Sequence, residues 1–159
     1  MRRDQLEHAI RTSCQIIHQS EVIVVGSQAI LGTYDESQLP AAATMSIEVD
    51  ILPIADSNEE TARLADLIEG VAGELSPFEE LHGFSIDGVD LETAVLPDGW
   101  RGRLVKVQNA NTAAFPVRRA SPAGVSTMKT SVSRSWLPSA RRTAPSSLRF
   151  SKPTSWTRS

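Results

Sequence analysis

Two acids stand one residue apart in the run Ile47, Glu48, Val49, Asp50, Ile51. On a strand, side chains two positions apart share a face, so Glu48 and Asp50 project together while Ile47, Val49 and Ile51 turn to the other side. Two like charges held side by side are costly unless a cation or a proton compensates them, and a pair of carboxylate oxygens is the donor type that hard divalent cations select. Upstream, the apolar run Val22, Ile23, Val24, Val25 ends in Gly26 and Ser27, which reads as a strand turning into a helix that begins over Gln28 to Leu31. Taken alone, the alternation of hydrophobe and acid also describes a half-exposed sheet edge.

Together, Gly26, Ser27, Glu48, Val49 and Asp50, with Ser46 two positions before the first acid, resemble the signature of the nucleotidyltransferase superfamily. The resemblance covers about Arg3 to Thr112. It implies an α/β (α+β) fold with a small mixed sheet flanked by helices. Gly26, Ser27 and Ser46 would bind the nucleotide, and Glu48 and Asp50 would be catalytic and hold Mg²⁺, or Mn²⁺ in its place. The implied reaction transfers a nucleotide from an NTP to an RNA acceptor such as tRNA, with pyrophosphate leaving. The first acid is Glu where the family has Asp, and twenty residues separate Ser27 from Glu48, a long connection for the family. The overall wording of this region, including the run from Thr93 to Leu104, is similar to an uncharacterised bacterial branch of the superfamily near the toxins of toxin-antitoxin and abortive-infection systems, which would make a cognate antitoxin a partner.

The elements that must position these residues are readable from periodicity. Asp4 to Gln19 predicts an amphipathic helix with Leu6, Ala9, Ile10, Ile16 and Ile17 on its apolar stripe. Asn58 to Leu75 predicts a second, with Asn58 as N-cap, Glu59 and Glu60 in the first turn, and Leu64, Leu67, Ile68 and Val71 at core spacing. Short strands are expected at Phe84 to Val89, Thr93 to Leu96 and Leu104 to Val107, punctuated by Asp87-Gly88 and by Pro97, Asp98 and Gly99. Asp90 and Glu92 repeat the spacing of the acid pair, but their turn-rich surroundings read as solvated. Trp100, Arg101, Arg103 and Lys106 read as an exposed strand with an anchoring Trp in preference to an RNA-binding edge. His8, His18 and His82 lack the companions of a zinc site, and Cys14 reads as a small core residue.

Charge divides the chain. All nineteen acids lie between Asp4 and Asp98 with seven basic residues up to Thr112, whereas nine basic residues and no acid follow from Ala113. The domain organisation expected is therefore a nucleotidyltransferase-like domain over 1–112 and a basic, Ser-, Arg- and Pro-rich tail over 113–159 that lacks the apolar pattern needed to fold and is expected to be disordered. No signal peptide or membrane-spanning run is present, which makes a cytoplasmic protein with no membrane partner the expectation.

Acid-free text of this kind is also what a GC-rich gene yields out of frame. Building codons from the third base of each codon and the first two of the next forces Glu at Met128-Lys129 and Asp at Trp156-Thr157. With GC-rich choices elsewhere, the segment reads EDLCVAKL followed by EED, which resembles the part of the family that carries its Lys and last acid. A tail out of frame would leave the chain truncated and its transfer activity weak or absent. The alternative function is a non-catalytic binding protein whose acidic domain meets a partner and whose basic tail contacts RNA.

Overall fold

The computed structural model describes residues 1–113 and 130–133. Helix α1 spans Arg3–Ile16, strand β1 Val22–Val25, strand β2 Glu48–Pro53, helix α2 Asn58–Ala72, helix α3 Pro77–His82, strand β3 Ser85–Gly88, strand β4 Leu104–Val107 and strand β5 Thr130–Ser133. They build a mixed sheet of order β3-β2-β1-β5-β4. The β1 strand runs antiparallel to β2 and parallel to β5, β2 runs parallel to β3, and β4 runs antiparallel to β5. The expected mixed α/β architecture, a small sheet flanked by helices, is present.

Strand β1 is apolar throughout because both of its faces are covered. Val22 and Val24 join Val49, Ile51, Phe84 and Ile86 in the larger core, which Leu6 and Ile10 of α1 and Leu64 and Ile68 of α2 complete. Ile23 and Val25 join Leu52 and Val89 in a smaller cluster on the opposite face, packed by Ala94, Leu96, Trp100 and Leu104. Glu48 and Asp50 alternate with Val49 and Ile51, so they lie on the second face, away from the helices.

Several boundaries differ from expectation for identifiable reasons. Helix α1 stops at Ile16 instead of Gln19, as His18 adopts a positive φ of 55° and Gln19 N–H bonds back to Cys14. The N-cap of α2 is Ser57, whose hydroxyl accepts from Glu60 N–H at 3.2 Å; Asn58 is instead the first helical residue, and its side chain bonds Leu91 N–H. Leu67 and Val71, expected in the core, are 43% and 53% exposed, because α2 turns Thr61, Leu64, Ala65, Ile68 and Ala72 to the sheet. Thr93 to Leu96 is not a strand: a turn held by Ala94 N–H to Asp90 C=O occupies the region. Leu104–Val107 forms the strand expected of it.

The tail meets the structure at Ala113 and at Thr130–Ser133, whose backbone pairs as β5. The remainder of the tail expected to be disordered lies outside the described residues. Among the described residues no helix is long and apolar enough to cross a membrane.

Candidate functional site

The geometry of the site starts from β1. Its last residue, Val25, pairs across the sheet with Asp50, so the chain leaving β1 passes directly over the Asp50 side chain. Gly26 makes that passage with φ 70° and ψ −164°, a backbone region that is essentially restricted to glycine. A Cβ built there would lie 1.9 Å from Asp50 Oδ2. Glycine is therefore required twice, for its torsion angles and for its lack of a side chain. The residues Ser27–Gly32 then form a tight 3₁₀ turn, where a helix was expected to begin, and the exposed Ser27 hydroxyl accepts from Gln28 Nε2 at 3.3 Å.

From the other side, parallel pairing of β2 with β3 sets Asp50 opposite Asp87 and Glu48 opposite Ser85. Glu48, Asp50 and Asp87 each offer a carboxylate oxygen, and these oxygens all lie within 4.8 Å of one another, close enough to hold one metal ion. The donor set is all oxygen and carries up to three negative charges, which fits a hard divalent cation.

The electrostatics agree with the geometry. Burial raises the Asp50 carboxyl above the ordinary aspartate range, and the neighbouring Asp87 raises it further. Asp87 is raised by burial. Glu48 is raised first by burial and then by Asp87, Asp50, Glu74 and Glu69. No cation offsets these three carboxyls among the described ion pairs, which join Arg2 to Asp4, Arg3 to Glu7 and Arg63 to Glu60.

Of the residues singled out in the sequence, the structure brings Gly26, Glu48 and Asp50 to one place. Ser46 lies at the entrance to β2, where its hydroxyl donates to Glu48 C=O at 3.1 Å and accepts from Glu48 N–H at 3.2 Å. It thus fixes the backbone that carries the first acid.

Asp87 was missed. Its neighbour Gly88 made Asp87-Gly88 read as turn punctuation, yet Gly88 is there because a Cβ would lie 2.1 Å from the Ala65 carbonyl of α2. The strand alternation of Ile86, Asp87 and Gly88 was the available signal. Asp90, by contrast, caps a turn: its Oδ1 accepts from Glu92 N–H at 2.9 Å and Thr93 N–H at 2.6 Å. Those bonds hold its carboxyl below the ordinary aspartate range, as befits a turn residue.

Comparison with protein-family models, curated proteins and solved structures found no match.

The other candidate chemistry resolves into packing. His8 packs edge-on against His82 at 4.4 Å in a ring cluster with Phe78 and Phe84, which also touch each other. Cys14 is buried, and its thiol is pushed up to about 12 by that burial. Arg101 lies 4.5 Å over the Trp100 ring while Arg103 bonds the Pro97 and Asp98 carbonyls, so this pair of cations serves the loop that covers the second face.

Proposed function

We propose that the domain binds a nucleoside triphosphate together with a divalent cation, Mg²⁺ or Mn²⁺, in the manner of a nucleotidyltransferase. The observation that carries this reading is the contact of the Gly26 turn with Asp50, within a set of three convergent carboxylates on two neighbouring strands. A lone metal-binding patch needs no glycine turn against one of its ligands; a site that receives a metal-bound polyphosphate does.

In this reading Glu48, Asp50 and Asp87 hold the cation, and Gly26 and Ser27 receive phosphate oxygens. Once bound, the metal neutralises charge on those oxygens and makes an attacking hydroxyl more acidic. The chain's own contribution is to hold three oxygens at fixed spacing and to keep the turn free of side-chain bulk. An RNA acceptor such as tRNA, and an antitoxin partner, follow from the sequence resemblance. Transfer by this chain is weak or absent in this reading, because the Lys and last acid that the resemblance assigns to the segment after Thr112 are absent from its reading frame.

The test measures Mn²⁺ and NTP binding alongside RNA labelling by the 159-residue chain and by Asp50→Asn. Metal-dependent NTP binding that Asp50→Asn abolishes supports the reading. Binding of RNA without any NTP or metal binding favours the alternative, a non-catalytic module with an acidic domain and a basic tail.

A further inference from the structure

Gln28 follows the Gly-Ser turn and is only 2% exposed. Its Nε2 lies 3.3 Å from Ser27 Oγ and 3.3 Å from the Ala43 carbonyl. A main-chain carbonyl only accepts, so the amide atom shared by the two contacts must be the nitrogen, which fixes the orientation of the side chain. One N–H goes to Ala43 C=O and the other to Ser27 Oγ. The serine oxygen is thereby occupied as an acceptor, and its own hydrogen is left to point at something else. Ser27 is exposed and directly follows Gly26, the residue that lies against Asp50.

The other end of the amide supplies a second observation. Gln28 Oε1 is buried and has no hydrogen-bond partner among the described residues. A buried acceptor left unpaired is costly, and Leu or Met would fill the same space without that cost. Packing alone therefore does not account for an amide here; the contact made by its nitrogen does.

We propose that Gln28 is a positioning residue that turns the Ser27 hydroxyl into a donor for a phosphate oxygen of the ligand, an inference that rests on the nucleotide reading above. Three carboxylates repel a bare phosphate, and a hydroxyl whose hydrogen is free to donate gives the polyphosphate a directional contact beside them. The same amide ties the turn to Ala41–Thr44, the 3₁₀ segment that leads to Ser46 and Glu48.

A double-mutant cycle tests this on the full 159-residue chain, with calorimetric binding of pyrophosphate in Mg²⁺ as one readout and Mn²⁺ binding without pyrophosphate as the other. Ser27→Ala and Gln28→Met should each weaken pyrophosphate binding by about ten-fold. The double variant should be no weaker than either single one, because Gln28 acts through Ser27. Mn²⁺ affinity should be unchanged in all three.

Additive losses or an unaffected Gln28→Met would overturn the inference while leaving the nucleotide reading intact, whereas an unaffected Ser27→Ala would overturn the inference and remove the Ser27 hydroxyl from that reading. A wild-type chain that binds no pyrophosphate in Mg²⁺ overturns both. If Gln28→Met does not fold, Gln28→Leu takes its place in the cycle. Failure of both to fold would show that the amide is structural.

Discussion

Gly26 and Asp50 are in contact across the top of the β1-β2 pair: the glycine Cα faces the aspartate carboxylate so closely that one added methyl group would overlap Oδ2. Glycine at 26 and Asp at 50 thus form one structural unit, separated by 23 residues that fold away as 3₁₀ turns and the lead into β2. A carboxylate able to hold a metal ion is thus set directly against a side-chain-free turn.

Gly26→Ala should destabilise the protein by about 1–3 kcal/mol from its backbone angles alone, and by more through the clash with Asp50. Introducing Asp50→Ala into that variant should return the part due to the clash and leave the backbone part. Urea denaturation of the four proteins measures both; a Gly26→Ala protein as stable as wild type would refute the described turn.

The raised carboxyls of Glu48, Asp50 and Asp87 give a pH dependence of definite sign. Each binds its proton more tightly folded than unfolded, so between the unfolded value of about 4 and the raised folded value the native state holds the extra protons. The contribution of this cluster to stability therefore falls as pH rises through that window, and it is at its least favourable at neutral pH without metal. Asp50→Asn should raise the metal-free Tm at pH 7.5 by about 2–5 °C, and by less at pH 4. Equal effects at both pH values would show that neither burial nor the neighbouring carboxylates raise Asp50 in the folded protein.

Asp87 and Asp90 separate two roles that look alike in sequence. Asp87→Asn should weaken Mn²⁺ binding by about ten-fold or more, as expected for loss of one charged ligand of three. Asp90→Ala should leave Mn²⁺ binding unchanged and lower Tm, since it removes the acceptor for Glu92 and Thr93 N–H. Electron paramagnetic resonance of Mn²⁺ and a thermal melt distinguish them, and the reverse pattern would place the third ligand on the turn.

What the sequence disclosed follows the strength of its local signals. The unbroken Val22–Val25 run, the glycine after it and the alternation at Glu48–Ile51 are each dictated within a few residues, and all three appear as read. Asp87 was hidden because its relation to Asp50 is one of strand register, which only the parallel pairing of β2 and β3 creates.

Helix α3 escaped notice since six residues are too few for a periodic stripe, although Ser76 before Pro77 and the left-handed Gly83 mark its ends. Ala94 and Leu96 do show real alternation, but it serves burial against the second cluster with no strand pairing. In β5, Thr130–Ser133 contains one hydrophobe, Val132, and its place beside Val24 and Val105 rests on backbone pairing that composition does not report.

The most direct measurement is a Mn²⁺ titration of the full chain, with and without a nucleoside triphosphate, compared with Asp50→Asn. Saturable Mn²⁺ binding that the triphosphate tightens is expected, with loss of both in the variant while its thermal melt stays cooperative. Saturable metal binding that is indifferent to the triphosphate, or that survives Asp50→Asn unchanged, would contradict the proposed function.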